Sequence, residues 1–207
     1  MQHAKVVERN YMQPQTNGTI RAEKTRLVRK LERGSFLHLA GDAAGNSVHL
    51  LESGLLKLVA RAEDGRESIV DLVLPGEVAD DIAAIDGLPH AFDAIAVVDS
   101  TVVVLDPAVS SELVAASLAA RVRRLGSAVH ERSGSAREAL AGRLAELARA
   151  GARSVPLAQA DLGRLAGTSR ETVCRELARL RRTGAVSYRS RSVRILRPEL
   201  LDRLRCG

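Results

Sequence analysis

Five arginines lie within thirteen residues near the end of the chain, in the stretch LGRLAGTSRETVCRELARLRRTGAV (162–186). The first, Arg170, is followed directly by the carboxylate of Glu171. Guanidinium groups attract phosphates, so this cluster predicts a polyanionic partner. Glu171 repels phosphate, and its presence indicates that the partner is read as well as bound.

The same stretch predicts two helices joined by a tight turn. The first covers about 158–165, with Leu162 and Leu165 facing inward, and Ser169 is a strong N-cap candidate for the second. At 100° per residue, Val173, Leu177 and Leu180 lie within roughly 60° of one another on the second helix, about 170–182. That set forms the predicted buried face, and Glu171 and Arg175 point away from it together.

A helix whose first turns carry outward charges suits the major groove of DNA. Arginine pairs bidentately with guanine, and a carboxylate accepts a hydrogen bond from cytosine N4. We therefore expect base contacts from Arg170, Glu171 and Arg175. The segment AVSYRSRSVRIL after Gly184 alternates like a short hairpin, or wing. We expect phosphate contacts from the helix and this wing, through Ser169, Thr172, Arg179 and Arg191.

Composition excludes several other classes of protein. The chain has 207 residues and is 45% hydrophobic, which is enough for a core, and no apolar run reaches the roughly 18 residues of a membrane span. Cys174 and Cys206 are too few for a disulfide framework. No metal-ligand spacing, phosphate loop or Ser/His/Asp constellation is present, so we predict a cytoplasmic protein that is not an enzyme and holds no metal.

Charge divides the chain into two parts. Residues 154–207 carry 12 arginines and five acidic residues, a net charge of +7, whereas residues 52–112 carry a net charge of −10. A basic C-terminal part and an acidic middle indicate modules with different partners.

The periodicity of the apolar residues suggests four segments. Residues 1–22 form an arm; 23–106 form a β barrel or roll, with Asp64-Gly65 as a hairpin turn; 107–134 form a helix and hinge; and 135–207 form the winged helix–turn–helix, with Ser135 capping its first helix. Apolar residues on the long helix recur at spacings of four, three and four, which predicts a seam for dimerisation. The alternative is that this face of the helix packs on the β domain of its own chain. The seam residues are Leu118, Val122, Leu125 and Val129.

The segment DLGRLAGTSRETVCRELARLRRTGAV (161–186) resembles the DNA-binding domain of the CRP/FNR family, the bacterial regulators similar to the cyclic-AMP receptor protein and FNR. LERGSFLHLAGD, LLESGLLKLVARAEDGRE and VLPGEV resemble the β-roll of that family. The resemblance implies an α+β fold with an N-terminal cyclic-nucleotide-binding-like jelly roll, a long dimerisation helix and a C-terminal winged helix–turn–helix. It also implies a homodimer on a pseudo-palindromic operator, and contact with RNA polymerase in an activator.

The effector cassette of that family is degenerate here. Cyclic-nucleotide binders of the family have a Gly-Glu pair and, about ten residues later, an Arg-Ser or Arg-Thr pair. The corresponding stretch, PGEVADDIAAIDGLPHAFDAIAVV, has no arginine, and no Arg or Lys occurs between Arg66 and Arg121. We expect its acidic residues, Asp86 and Asp93 included, to repel a phosphate, so we predict a neutral or cationic ligand, or none. The cassette positions are Gly76, Glu77, Asp80, Asp81, Ala91 and Phe92.

The sequence leaves open whether the protein senses a signal through a cofactor or through redox chemistry. No cysteine precedes Cys174, which excludes a cysteine-ligated iron–sulfur cluster in the roll. No cofactor is predicted, and haem is the alternative, through His38, His49, His90 or His130. Cys174, beside Arg170 and Arg175, is a candidate redox switch. Regulation without an effector and non-specific nucleoid binding are the remaining alternatives.

Overall fold

The computed structural model describes residues 27–79, 81–106, 108, 110–131, 135–189 and 191–205, with the backbone alone for 128–131 and 205. Its N-terminal half contains seven strands and one short helix, α1 (Asp81–Asp86), which lies between β5 and β6. The strands are β1 (Leu27–Leu31), β2 (Phe36–His38), β3 (Val48–Ser53), β4 (Leu56–Arg61), β5 (Glu67–Val73), β6 (Asp93–Ala96) and β7 (Ser100–Leu105). The predicted arm 1–22 and the cassette residue Asp80 lie outside the described residues.

These strands form the predicted roll from two antiparallel sheets. One sheet has the order β1-β7-β3 and the other β2-β6-β4-β5. The predicted hairpin at Asp64-Gly65 is confirmed, since β4 and β5 pair antiparallel from Leu56↔Val73 to Arg61↔Glu67. One apolar cluster draws on strands of both sheets, and Leu51, Leu56 and Val102 in it are fully buried.

A long helix, α2 (Ser111–Glu131), follows the roll. The face that it buries against its own chain carries Val114, Ser117, Arg121 and Arg124. The predicted seam lies on a different face, where Leu118 and Leu125 are half-buried and Val122 is 59% exposed. The side chain of Val129, and that of His130, lie outside the described residues.

The next helix, α3 (Ala136–Arg149), lies between the two halves of the molecule. Its predicted cap is confirmed as a capping box, because the Ser135 side chain accepts from the Glu138 backbone N–H and Glu138 accepts from that of Ser135. Every residue from Ala139 to Ala148 is buried. Such all-round burial is typical of a helix enclosed by packing on several sides.

The C-terminal part is a winged helix–turn–helix. It comprises β8 (Ser154–Val155), α4 (Gln159–Ala166), α5 (Arg170–Arg182), β9 (Val186–Arg189), β10 (Ser192–Ile195) and α6 (Pro198–Arg205). The predicted hairpin is confirmed as β9 and β10, with β8 on the other side of β10. The sequence interpretation missed α1, β8 and α6.

One apolar cluster continues from the roll into the C-terminal part. It joins Leu55, Val59 and Leu72 of the roll to the buried faces of α3, α4 and α5. Lys57 of β4 also pairs with Asp161 of α4 at 3.2 Å. The roll therefore contacts the winged helix–turn–helix through buried apolar side chains. The boundaries that the sequence suggests for the four segments remain predictions.

Within the described residues, no helix combines the length and apolarity needed to cross a membrane. The same residues contain no group of three or more His, Cys, Asp or Glu side chains arranged to hold a metal ion.

Candidate nucleic-acid interface

Two glycines allow α4 and α5 to pack closely around their turn. A Cβ atom on Gly163 would lie 2.7 Å from the backbone oxygen of Thr168, so only glycine lets the turn fold back onto α4. Gly167 ends α4 in the left-handed conformation, with φ +65°, which suits glycine. The turn thereby sets the direction in which α5 leaves the domain.

Ser169 begins α5 as predicted. Its hydroxyl oxygen accepts from the backbone N–H of Thr172 at 3.2 Å and lies 3.1 Å from Thr172 Oγ1. Arg175 Nη2 donates to Thr172 Oγ1 at 3.4 Å. The N-terminal turn of α5 thus presents a linked row of polar side chains, and the Arg175 side chain is 62% exposed.

Glu171 lies exposed beside this row, as does Arg170. Its own backbone N–H, the Ser169 hydroxyl and then the charge of Arg170 hold the pKa of the Glu171 carboxyl below its usual value. The single hydroxyl proton of Ser169 serves either Glu171 or Thr172. Glu171 is therefore an acceptor at neutral pH, and it must turn away from its own helix terminus to meet a base.

A second carboxylate on α5, Glu176, went unnoticed in the sequence. It is buried, and it accepts from Arg179 at 2.8 Å and from Arg137 of α3 at 3.2 Å. Arg179, a predicted phosphate contact, therefore has one nitrogen on Glu176 while 44% of its side chain stays exposed. In the sequence, Glu176 is visible only as an acidic residue that follows Arg175, and this position did not indicate that its carboxylate is buried.

The wing places further arginines near α5. Arg181 of α5 lies over the Tyr188 ring of β9, 5.8 Å from its centroid. Arg191, next to β10, is exposed and lines a groove of about 360 Å³ together with Arg33 of the roll. Cys174 is a free thiol on the exposed side of α5. Apart from Thr172, which is half-buried, the predicted contact residues on α5 and the wing are exposed on two adjoining elements.

The roll pocket holds part of the degenerate cassette. Asp81, Ala91 and Phe92 line it with His38 and His90. The two imidazole rings stack, with their centroids 3.8 Å apart and their planes 13° apart. About 20 Å³ of space remains, which is room for about one water, whereas ligand pockets have roughly 300–1,000 Å³.

Glu77 belongs to a different cluster, an ionic network between the roll and α2. Arg124 of α2 donates to Glu77 at 2.6 Å and to Asp71 of β5 at 2.8 Å. Burial works to lower the pKa of Arg124, but the hydrogen bonds and charges of Asp71 and then Glu77 outweigh it, and the pKa lies above its usual value. Gly76, with φ +92°, makes the turn that brings Glu77 here.

Arg121 completes this network. Its guanidinium pairs with the carboxylate of Asp81, donates to the Val78 carbonyl at 3.1 Å and lies 3.4 Å from Asp71. The sequence signal for these pairs was Asp71 itself, an acidic residue in the middle of the apolar strand SIVDLVL. A buried carboxylate requires a cation, and α2 supplies it.

One expectation from the sequence is wrong. We expected the acidic residues of the cassette to face a ligand without a neighbouring cation. Arg121 instead pairs with Asp81, and Arg61 pairs with Asp93 at 3.2 Å. Both cations come from outside the cassette, so a count along the cassette did not reveal them. The stacked rings of His38 and His90 leave about 20 Å³ of space in this pocket, which is less than a haem occupies. His49 lies on β3, outside the lining of this pocket.

Two family models match the two halves of this architecture. The cyclic nucleotide-binding domain matches residues 28–117, and the Crp-like helix–turn–helix domain matches residues 138–204. The chain belongs to the CRP/FNR family of transcription regulators.

Solved structures of CRP/FNR regulators share the whole fold. TTHB099, a transcriptional regulator of the CRP family from Thermus thermophilus, is 26% identical, with a TM-score of 0.65 over 86% of this chain and 97% of that one. FixK2 from Bradyrhizobium japonicum is 21% identical, with a TM-score of 0.72 over 86% and 96%. The c-di-GMP-responsive regulator CLP from Xanthomonas campestris is 17% identical, with a TM-score of 0.64 over 82% and 93%. No curated protein matches this CRP/FNR family member in sequence.

Proposed function

We propose that this CRP/FNR regulator is a homodimer that reads a pseudo-palindromic operator in the major groove. The observation that carries the proposal is a set of three exposed charged side chains on the first turns of α5. Arg170, Glu171 and Arg175 lie there on a helix whose other face is locked by Val173, Leu177 and Leu180. Rigid presentation of donors and an acceptor is what direct readout of bases requires.

The dimer rests on the exposed face of α2. Val122 is 59% exposed, and Leu118 and Leu125 are half-buried one turn on either side of it. An apolar stripe of this kind on a long helix suits a like partner. Two copies related by a twofold axis would present their α5 helices to half-sites about 34–36 Å apart.

The test is selection from a random duplex library, combined with native mass measurement of the free and bound protein. We expect a twofold-symmetric consensus and a complex of two chains per duplex. A scrambled duplex should compete poorly. Equal competition by the scrambled duplex would favour non-specific nucleoid binding, and one chain per duplex would contradict the dimer.

Arg191 is expected to bind phosphate without sequence preference. Its replacement by alanine should weaken all duplexes alike and flatten the plot of log affinity against log salt by about 0.9 per chain, or about 1.8 for the proposed dimer. Binding measured at four salt concentrations on operator and scrambled duplex checks this. Arg203→Ala removes an equal exposed charge from α6 and should leave the slope unchanged. A change confined to the operator would show that Arg191 reads bases instead.

The sensory half departs from a cyclic-nucleotide receptor. A pocket with about 20 Å³ of space is too small for a cyclic nucleotide, and its Asp81 carboxylate is already paired with Arg121. We infer control without such an effector, in the cytoplasm, where bacterial DNA lies. An activator of this kind also contacts RNA polymerase.

Redox control through Cys174 is the second candidate, favoured by the exposure of this thiol on α5. Oxidation adds bulk and negative charge beside DNA. We expect mild peroxide to lower the affinity of the wild type for its operator and to leave Cys174→Ser unaffected. Equal losses in both proteins would assign the effect to other oxidised groups.

A further inference from the structure

The largest fully buried side chain of the described residues is a charged one. Arg121 is 2% exposed and lines the roll pocket, although it belongs to α2. A guanidinium in such a place must have its charge and its N–H groups satisfied. Three groups of the roll surround it: the Asp81 carboxylate pairs with Nη1, the Val78 carbonyl accepts from Nη2, and the Asp71 carboxylate lies 3.4 Å from Nε, an ionic contact without a hydrogen bond.

This set of acceptors is specific in its chemistry. Asp81, which lines the pocket, and Asp71, which reaches the same guanidinium from β5, are 0% and 2% exposed, and two carboxylates buried this deeply require a cation beside them. A planar cation with several N–H donors in a fork matches acceptors that lie on different sides. An ammonium group is a point charge with three donors and matches them less well.

The remainder of the pocket is closed by packing. The stacked rings of His38 and His90 line the pocket together with Phe92, and about 20 Å³ is left. A diffusible ligand therefore finds no room while Arg121 is in place. We infer that the roll pocket is a guanidinium site, and that the chain fills it with its own Arg121.

The occupied site also connects to the DNA-binding part. Arg121 and Arg124 share Asp71, and the backbone carbonyl of Arg124 accepts from Arg143 of α3 at 3.4 Å. Arg143 also donates to the Val70 carbonyl of β5 at 3.2 Å. Resting on the proposed function, this means that an internal side chain keeps α2, α3 and the roll in register.

The experiment uses the full-length chain with Arg121→Ala and, as a matched control, Arg123→Ala, which removes an exposed arginine from the same helix. Breaking a buried ion pair should lower the Tm of Arg121→Ala by roughly 6–20 °C. Methylguanidinium chloride, up to about 50 mM, is the probe. At about one hundred times its Kd it should restore roughly 5–11 °C, saturably, and it should not stabilise the wild type or Arg123→Ala.

Three further measurements make the result decisive. Tetramethylammonium, a cation without N–H donors, should give no recovery, and Asp81→Asn added to Arg121→Ala should reduce the response. If Arg121→Ala is unfolded without the probe, recovery of its helical circular dichroism signal with methylguanidinium is the expected result. Cyclic AMP should leave the wild-type Tm unchanged.

The inference is overturned if methylguanidinium has no effect on Arg121→Ala, or if tetramethylammonium acts equally well. A saturable rise of the wild-type Tm with cyclic AMP would also overturn it, because Arg121 would then give way to a diffusible ligand. None of these measurements involves DNA. A negative result would therefore leave the proposal of operator reading intact, and a failure to read an operator would not affect the guanidinium site.

Discussion

Replacing Asp71 by asparagine is expected to lower the free energy of unfolding by about 3–5 kcal/mol. Asp71 is 2% exposed and accepts from Arg124 while lying 3.4 Å from Arg121, so the substitution removes the charge shared by two buried cations. Glu77 and Asp81 then remain as one carboxylate for each arginine, but the buried hydrogen bonds from Arg124 to Asp71 lose their charge, and Arg121 loses its ionic contact at Nε. Thermal unfolding should show a Tm lower by roughly 6–20 °C.

The matched control for Asp71 is Asp64→Asn. Asp64 also pairs with an arginine, Arg66, but those side chains are 52% and 83% exposed. Water screens such a pair, and its loss should leave the Tm nearly unchanged. Equal Tm values for Asp71→Asn and the wild type would show that the network between the roll and α2 does not support the fold.

Replacing Arg175 by alanine is expected to relax the preference for one base pair in each half-site. A bidentate contact to guanine contributes about 1–3 kcal/mol of discrimination, so binding to operator and to a duplex mutated at that base pair should become alike, a change of about 5- to 150-fold. Competition binding with a series of single base-pair changes locates the position. The fold should be unaffected, because the Arg175 side chain is 62% exposed.

Arg182→Ala provides the comparison, since it removes an exposed arginine from the other end of the same helix. It is expected to weaken binding to all duplexes without altering the order of preference. Should Arg175→Ala keep the full preference of the wild type, base readout would have to be reassigned to Arg170 and Glu171. Loss of all DNA binding would instead make Arg175 an anchor on the backbone.

The proposed DNA-reading helix is held by two kinds of contact with different roles. Val173, Leu177 and Leu180 fix its inner face by burial, and Glu176 ties it to Arg137 of α3. Because α3 is buried between the roll and the winged helix–turn–helix, its position depends on both halves. A disturbance in the roll can therefore reach α5 through packed side chains, without any contact with DNA.

Local signals in the sequence were sufficient for the helix–turn–helix and its wing. The bounds 170–182 of α5, its Ser169 cap, its buried face and the hairpin after Gly184 all agree with the structure. Each depends on residues within about one turn or one hairpin, so spacing along the chain determines them. The same holds for the capping box at Ser135 and the turn at Gly65. The short α6 was missed because its main packing partner is α3, far away in sequence.

By itself, the sequence determined which residues α5 exposes and that the roll lacks the arginine of a cyclic-nucleotide cassette. Only the tertiary structure showed that Arg121 of α2 supplies a guanidinium to the roll pocket instead. Arg121 lies 40 residues from Asp81 along the chain, and their pairing depends on how α2 docks on the roll. Spacing identifies partners on one helix or hairpin, but electrostatic compensation in a core is a property of three-dimensional proximity, and no count along the chain reveals it.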